Sequence, residues 1–215
     1  AQMASTSSHV QAYTILGIRD REKKKKLAEY AGDQAYVETC AHFLVFCADL
    51  YRLRKVVEKE GKDIRSNLDY TEMFIVATVD AALAAQNAAI AAEAMGLGVV
   101  FIGGIRNNPD KVSSLLELPE QVYPVFGMCL GYPAQDPEIK PRLPKEAVYF
   151  EDSYQPFEQV EAYIEAYDER VKQYYITRTK GKRTDTWSEM MTKTLSTPRR
   201  TFMKEFLNKQ GFPLK

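Results

Sequence analysis

Strand-like and helix-like patterns of hydrophobic and polar residues alternate through the first two thirds of the chain. Four short apolar runs, rich in β-branched and aromatic residues, predict strands. They cover residues 12–18, 42–51, 97–102 and 122–130. The run 42–51 is apolar almost throughout, which is typical of a buried central strand. Pro124 stands near the start of the last run, where a strand tolerates proline.

Segments with helical periodicity lie between and after these runs. Residues 21–31 contain good helix formers, and their lysine run is expected to be a solvated face. Residues 71–95 carry apolar or small side chains on nearly every face, which predicts a central helix. Its alanines would let another backbone approach closely, as at a dimer interface. Asn108, as a cap, and Pro109, at the first position, predict a helix that runs to about Leu118. The tail predicts amphipathic helices over residues 157–175, 186–195 and 199–210.

The order of these elements predicts a three-layer α/β or an α+β domain. Residues 131–144 are rich in proline and poor in glycine and serine, so we interpret them as an ordered crossing loop. We predict one domain over residues 1–215, with residues 145–215 as its C-terminal helical extension. The chain begins AQMASTSS, which reads like the end of an element. We therefore expect a helix upstream of the printed sequence.

The charge balance excludes some classes of partner. The chain has 29 Lys and Arg residues against 29 Asp and Glu, so nothing global attracts nucleic acid or an anionic membrane. No signal-peptide pattern opens the sequence. The most apolar stretch, residues 73–95, contains Asp80 and Glu93 among alanines, which argues against a membrane span. We predict a cytoplasmic protein without nucleic-acid or membrane partners.

The cysteines and histidines predict no metal site. Cys40, Cys47 and Cys129 are an odd, sparse set, which fits neither a disulfide framework nor a zinc site. We interpret them as small packed hydrophobes in a reducing cytosol. The two histidines are too few for a His-rich site, and His42 opens an apolar run, so we interpret it as a structural residue and not as a catalytic base.

No hydrolytic or nucleotide-binding motif stands out. The chain has no Gly-x-Ser-x-Gly elbow, no Walker loop and no His-Glu-x-x-His motif. Gly96, Gly98, Gly103 and Gly104 lack the spacing of a dinucleotide fingerprint. A chain with so few candidate acids and bases is a candidate for a cofactor enzyme, in which the organic molecule performs the chemistry.

Four local features have the chemistry to hold a flavin mononucleotide. Hydroxyls in the run Ser5 to Ser8 could bond a ribityl chain or phosphate, and the alternative is a helix cap or turn. Gln34 could bond the polar edge of the ring, or be an ordinary exposed side chain. Gly103 and Gly104 could bring backbone N–H groups close to a flat ligand, or form a tight turn. Lys140-Pro141-Arg142 could neutralise negative charge, or form a surface salt-bridge loop.

Taken in order along the chain, these features and their neighbours resemble one family. The chain is similar to the oxygen-insensitive NADPH nitroreductases and the NADPH–flavin oxidoreductases, and the similarity is collinear over essentially all of it. The motifs that carry it are the segments STSS with Gln11, DAALAAQNAAIAAE (Asp80 to Glu93), MGLG (Met95 to Gly98), IGGIRN (Ile102 to Asn107), KPRLP (Lys140 to Pro144) and DTWS (Asp185 to Ser188).

The resemblance implies an α+β nitroreductase fold with a central mixed sheet flanked by helices. It also implies an intertwined homodimer with two FMN sites at its interface. The FMN-binding residues implied by position are Thr6, Ser8, Gln34, Tyr36, Ile102, Gly103, Gly104, Lys140 and Arg142. Relatives carry an upstream His-Arg-Ser-x-Arg type motif that grips the FMN phosphate, and the printed sequence has no such motif.

The resemblance further implies a ping-pong oxidoreductase without a catalytic side chain. NADPH would reduce FMN, and nitroaromatics, quinones or free flavin would then take hydride in the same pocket. Arg178 and Arg183 fall where NADPH-preferring members carry arginines for the 2′-phosphate, in a segment expected to close on NADPH. The alternatives are a flavin or azo-type quinone reductase with incidental nitro activity, and a non-catalytic flavin-binding or structural dimerisation protein.

Overall fold

A four-stranded sheet organises the first part of the chain in the computed structural model, which describes residues 1–215. The strands are β1 (Tyr13–Ile18), β2 (His42–Asp49), β3 (Gly98–Ile102) and β4 (Val122–Gly131), in the order β1-β2-β4-β3. Every neighbouring pair is antiparallel. The four predicted strands are confirmed. The expectation of a mixed sheet is wrong in one respect, because all the paired strands of this sheet are antiparallel. Apolar patterning shows which residues are buried, not the direction in which neighbouring strands run.

Nine α-helices accompany the strands. They are α1 (Arg21–Tyr30), α2 (Ala35–Thr39), α3 (Tyr51–Lys59), α4 (Arg65–Leu68), α5 (Thr71–Ala94), α6 (Pro109–Leu115), α7 (Glu161–Thr179), α8 (Trp187–Leu195) and α9 (Met203–Lys209). Each predicted helix is present, with ends displaced by a few residues. The short helices α2, α3 and α4 were not predicted.

The unpredicted helix α3 follows directly from the end of β2. The apolar pattern extends the strand to Tyr51, but β2 ends at Asp49. The Asp49 carboxylate accepts the backbone N–H of Arg52 at 3.0 Å. An acidic oxygen on an unpaired N–H of the first turn stabilises a helix start, so the chain turns into a helix where hydropathy alone predicts continued strand.

The lysine run of α1 is not uniformly solvated. Asp20 caps the helix by accepting the N–H of Lys23 at 2.7 Å. Lys24 is only 8% exposed, and its Nζ donates to the Cys40 carbonyl at 2.6 Å. Lys24 shares a helix face with Leu27 and Ala28, three and four residues later, and that face packs on the sheet. The expectation of a solvated face is therefore wrong for Lys24.

The two faces of the sheet carry different helices. On one face, buried side chains of β2 such as Val45 and Cys47 pack with Leu27 of α1, Val37 of α2 and Val112 of α6. On the other face lies α5, which contacts the strands through small side chains. These are Ala77, Ala81, Ala84, Ala85 and Ala89, all buried. Small side chains allow the helix backbone to lie close to the sheet.

The far side of α5 is apolar and exposed. Ile75, Val79, Leu83 and Ile90 lie on it. By length and composition alone α5 could cross a membrane, but one such helix is weak evidence, because a core helix passes the same test. Its contacts with the sheet and the buried carboxylate of Asp80 are those of a core helix.

Proline is accommodated inside β4 by a β-bulge. Phe46 pairs with Phe126, whereas the next residue, Cys47, pairs with Pro124. Val125 is therefore left without a cross-strand partner, and its carbonyl accepts a hydrogen bond from the Arg106 guanidinium. A bulge removes the need for a ladder N–H that proline cannot supply. Pro124 therefore lies within β4, at this bulge.

The chain divides into two compact units, residues 1–134 with 200–215 and residues 135–199. The first holds the sheet, α1 to α6 and α9. In the second, buried aromatic and aliphatic side chains of α7 pack with Leu143, Trp187 and Met190. A capping box at Thr186 and Glu189 starts α8. The assignment of one domain over the whole chain stays a prediction.

Candidate functional site

The serine- and threonine-rich N-terminal segment is fastened to α5 by one buried carboxylate. Asp80 is 1% exposed. Its Oδ2 accepts the Thr6 hydroxyl at 2.5 Å and the Ala12 N–H at 3.0 Å, while its Oδ1 accepts the Ser7 N–H at 3.1 Å. The Thr6 hydroxyl also accepts the N–H of Gln11 at 2.8 Å. Both hydrogen-bonding functions of Thr6 are therefore used within the chain.

The serines of the same segment face solvent. Ser7 and Ser8 are exposed, and Ser8 has a φ of 46°, in the left-handed region. Thr6 therefore fastens the segment to α5, whereas Ser7 and Ser8 present exposed hydroxyls. The prediction that Thr6 and Ser8 contact FMN stays a prediction. The sequence patterns predict no role for Asp80, although an acid in the middle of an alanine-rich helix was the available signal.

Gln34 and Gly104 lie close together, just after the last residues of α1 and β3 respectively. Gly32 and Asp33 have positive φ values and turn the chain from α1 into α2. The Gln34 amide donates to the Ala31 carbonyl at 2.7 Å and accepts the Tyr36 hydroxyl at 2.5 Å. A Cβ on Gly104 would stand 2.3 Å from Gln34 Nε2 and 2.4 Å from the Ala31 carbonyl oxygen. Only glycine fits at position 104, because real Cβ atoms do not approach backbone oxygen so closely.

A guanidinium stands beside the first of the two glycines. A Cβ on Gly103 would lie 3.4 Å from Nη2 of Arg106, whose other contact is the carbonyl at the β4 bulge. Ile102 is buried beneath the turn. We call Gln34, Tyr36, Gly103, Gly104 and Arg106 the Gln34–Gly104 cluster. Arg106 belongs to the motif IGGIRN, but the sequence predicts no role for it.

The two groups of candidate residues in the first unit lie on opposite faces of the sheet. The N-terminal segment is bonded to α5. The Gln34–Gly104 cluster joins the face that carries α1, because Ala31, Ile102 and Ile105 belong to that core. Thr6 and Ser8 are thus not brought into contact with Gln34, Tyr36 or the glycines.

The predicted cations of the second unit gather on two tyrosines. Lys140 Nζ lies 5.6 Å from the centre of the Tyr175 ring, and Arg183 Cζ lies 3.9 Å from the same centre. Arg178 lies over the Tyr174 ring at 5.7 Å and donates to the Tyr174 hydroxyl. A hydrogen bond with Lys140, joined by the charges of Lys140 and Arg183, lowers the pKa of Tyr175. We call these five residues the cation–tyrosine cluster.

The tyrosines of this cluster are buried and its cations are exposed. Tyr174 and Tyr175 are each 8% exposed, whereas Lys140, Arg178 and Arg183 face solvent. Arg183 also pairs with Asp185 at 2.8 Å, which lowers the pKa of that carboxyl. The adjacent Tyr174 and Tyr175 stand about one helical turn before the basic segment. They were a sequence signal for this cluster, but the prediction rested on the charges alone.

Arg142 is bonded to its own loop. Its Nη1 donates to the Lys140 carbonyl at 2.9 Å, and the Tyr167 hydroxyl donates to the Pro141 carbonyl at 3.1 Å. The loop is therefore ordered by local hydrogen bonds, as its proline content predicts. Within the whole chain, no group of three or more His, Cys, Asp or Glu side chains is placed to hold a metal ion.

Comparison with known proteins covers nearly the whole chain. The family model described as Nitroreductase family matches residues 1–132, and the model for the C-terminal domain of the same family matches residues 140–215. The chain is 49% identical to the FMN reductase (NADPH) of Bacillus subtilis strain 168, over 99% of this chain and 86% of that relative. It is 43% identical to the oxygen-insensitive NADPH nitroreductase of Salmonella typhimurium strain LT2, over 99% and 85%.

A solved structure agrees with this assignment. NfrA1 of Bacillus megaterium superposes with a TM-score of 0.96 at 53% identity, over 98% of this chain and 86% of that chain. This agreement confirms both the resemblance inferred from the motifs and the α+β nitroreductase fold. On the family models, the sequence identity and the superposition, the chain belongs to the nitroreductase family.

Proposed function

We propose that this protein is an FMN-dependent oxidoreductase that transfers hydride from NADPH to nitroaromatics, quinones or free flavin. Membership of the nitroreductase family and the names of its relatives support this function. The observation that carries it is the Gln34–Gly104 cluster. There, amide donors, two glycines and a guanidinium meet at one end of the sheet.

The chemistry of this cluster fits the edge of a flavin ring. A glutamine amide has two N–H donors, and the structure uses one of them on Ala31. Tyr36 is 48% exposed, so its ring is accessible to a ligand. The glycines have no side chain to keep a flat molecule away from the backbone. FMN, when bound, supplies the two-electron hydride chemistry that side chains lack.

Positive charge is the second requirement that the residues meet. A flavin ring gains negative charge when it takes up hydride, and preorganised donors and cations stabilise such charge. Arg106 stands beside Gly103, where it would serve this role. Lys140 and Arg142 would neutralise the polar part of FMN. No general base or nucleophile is needed, so the chain's task is to bind, orient and exclude water.

The cation–tyrosine cluster supports the preference for NADPH over NADH. The two cofactors differ by a 2′-phosphate, which arginine binds with two parallel N–H groups. Arg178 and Arg183 are exposed while resting on buried tyrosine rings, so their N–H groups remain accessible from solvent. We infer that they bind this phosphate.

We also infer that the protein acts as a cytoplasmic homodimer. The exposed apolar side of α5, with Ile75, Val79, Leu83 and Ile90, needs a partner surface. In addition, Thr6 and Ser8 lie on the opposite face of the sheet from Gln34. In a homodimer, the N-terminal segment of one copy, with the exposed hydroxyl of Ser8, would complete the cluster of the other. Light scattering should give twice 24.5 kDa, and an FMN-binding monomer would contradict the dimer.

The decisive experiment follows the flavin and the nucleotide separately. The protein is reconstituted with FMN, and NADPH oxidation is measured with FMN, a nitroaromatic and a quinone as acceptors. We expect a yellow protein that NADPH bleaches under anaerobic conditions and that each acceptor restores. A yellow protein that NADPH does not bleach would indicate a flavin-binding protein without turnover, and a protein that binds no FMN would indicate a structural role.

A further inference from the structure

Two of the three cysteines converge on the backbone of α2. The thiol of Cys129 donates to the Tyr36 carbonyl at 3.5 Å, and the backbone N–H of Cys40 donates to the same oxygen at 3.0 Å. The thiol of Cys40 donates to the next carbonyl, that of Val37, at 3.3 Å. Both sulfur atoms therefore lie at the last turn of one short helix, although they are 89 positions apart (129 minus 40) in the sequence.

The two thiols have contrasting surroundings. Cys40 is half-buried, and its pKa falls to about 7, first because of its contact with the Cys129 side chain and then because of the charge of Lys24. Cys129 is 6% exposed, and the same thiol contact together with burial raises its pKa. Cys40 is therefore the less buried of the two thiols and the one that loses its proton more readily. Redox-sensing cysteines have this arrangement, with a reactive thiol next to a resolving one.

Lys24 supplies the fixed charge in this arrangement. Its buried ammonium donates to the Cys40 carbonyl at 2.6 Å, so it is held next to the residue that carries the reactive thiol. Burial removes water from the lysine ammonium, and this loss of hydration is costly unless the ammonium gains a hydrogen-bonding or ionic partner. Here its partner is the carbonyl of Cys40, and no carboxylate pairs with it among the ion pairs of the chain.

We propose that Cys40 and Cys129 form a reversible disulfide when the protein meets a peroxide. The Cys40 thiolate attacks one peroxide oxygen, the O–O bond breaks, and sulfenic acid forms while the departing hydroxide becomes water. The Cys129 thiol then attacks this sulfur and loses its proton, the S–S bond forms, and the S–O bond breaks to release a second water. Two thiols and one hydrogen peroxide thus give one disulfide and two waters. Disulfides in cytosolic proteins are typically of this transient kind.

The disulfide would act on α2. Its formation removes both thiol hydrogen bonds to the Tyr36 and Val37 carbonyls, which hold the end of this five-residue helix. Gln34 and Tyr36 of the Gln34–Gly104 cluster stand at its start. A change in FMN affinity on oxidation would rest on the proposed function, whereas formation of the disulfide does not.

The first test measures the bond itself. Purified protein is treated with hydrogen peroxide, alkylated, and digested without reductant for mass spectrometry. We expect a linked peptide containing Cys40 and Cys129, a fall from three free thiols to one, and full recovery with dithiothreitol. Cys47→Ser is the matched control, because Cys47 is fully buried and burial raises its pKa to about 12. It should still form the link, while Cys40→Ser and Cys129→Ser should not. Absence of the linked peptide in both wild type and Cys47→Ser would overturn the proposal.

The second test measures which thiol reacts first and why. At pH 7 we expect iodoacetamide to modify Cys40 at least roughly tenfold faster than Cys129, because the thiolate is the nucleophile. Lys24→Met should slow Cys40 severalfold, while the exposed neighbour variant Lys25→Met should leave it unchanged. Equal rates at the two cysteines of the wild-type protein would overturn the assignment of Cys40 as the attacking thiol. Equal rates of Cys40 modification in the two lysine variants would show that Lys24 does not contribute to the reactivity of Cys40.

Discussion

The two clusters that carry the proposed chemistry are built in opposite ways. The Gln34–Gly104 cluster has no spare room at its centre, because a single added carbon at position 104 meets a carbonyl oxygen at 2.4 Å. The cation–tyrosine cluster is made of long, exposed side chains resting on two buried rings. Position 104 cannot adjust without movement of the main chain, whereas the exposed cations of the second cluster can change rotamers.

This contrast matches the ligands proposed for the two clusters. A cofactor that stays bound through many turnovers gains from donors fixed in advance, because no reorganisation is needed during reaction. A nucleotide that must arrive and depart in each cycle is better served by cations that release it easily. Rigidity and mobility are therefore divided between the two parts of the chain, and the following variants test that division.

Gly104→Ala should produce the largest effect. The new Cβ overlaps Gln34 Nε2 and the Ala31 carbonyl, and relief requires movement of α1 or of the turn after β3. We expect the free energy of unfolding to fall by about 3 kcal/mol, as for overpacking at a rigid site, and FMN binding to weaken. Urea denaturation measures the first and flavin fluorescence the second. The matched control is Gly103→Ala, whose Cβ meets only a side-chain end at 3.4 Å. Equal losses in both variants would show that the cluster is not rigid at position 104.

Asp80→Asn should produce the next largest effect. The amide keeps the shape of the carboxyl but presents a donor to groups that are themselves donors, namely Thr6, Ser7 and Ala12. We expect the free energy of unfolding to fall by about 1–3 kcal/mol, and hydrogen exchange at Ser7 and Ala12 to accelerate. Glu93→Gln, an exposed acid on the same helix, is the control. If Asp80→Asn is no more destabilising than this control, the N-terminal segment is not anchored by the carboxylate.

Arg178→Ala tests the adjustable cluster. Loss of one charge-assisted phosphate contact should raise KM for NADPH roughly tenfold. KM for NADH, FMN content and stability should be nearly unchanged, because the side chain is exposed. Steady-state kinetics with both nucleotides make the measurement, and Lys182→Ala in the same segment serves as the basic control. Equal weakening of NADPH and NADH would show that Arg178 supports the fold and not the phosphate site.

Arg142→Ala should give the smallest effect. Arg142 is exposed and bonded to its own loop, so solvent screens its charge. We expect the FMN midpoint potential to fall by roughly 10–20 mV, where about 30 mV corresponds to 1.4 kcal/mol for two electrons. Potentiometric titration with a reference dye detects such a shift. An unchanged potential with unchanged FMN content would leave Arg142 with only its role in the loop.

Patterning predicted the elements better than their arrangement. The strands and the long helix α5 follow from runs of apolar residues, and their ends were displaced by only a few positions. Helix α3 was missed because its start depends on the carboxylate of Asp49, and hydropathy does not record hydrogen bonds. The burial of Lys24 was missed for a related reason. Helix formers predict a helix, but the face that meets the sheet depends on the residues around Leu27.

The candidate site was predicted by composition and resemblance, and its residues remain to be tested. Gln34 and the two glycines were singled out, and they do meet in space. The residues that hold them were not, because Arg106 acts on a bulge carbonyl that exists only once β2 and β4 have paired. Likewise, the role of Tyr175 arises from two cations that approach one ring from positions 35 and 8 residues away (175 minus 140, 183 minus 175).

By itself the sequence determined the four strands and the longer helices, the absence of hydrolytic motifs, and the family to which the chain belongs. These properties are local or collinear, because they depend on the order of residues and on short-range periodicity. Only the tertiary structure decided the antiparallel direction of the strands, the burial of Asp80 and Lys24, and the meeting of Cys40 with Cys129. Each of these brings together groups far apart in the chain. Their energies depend on burial and geometry that exist only after the faces of the sheet have been covered.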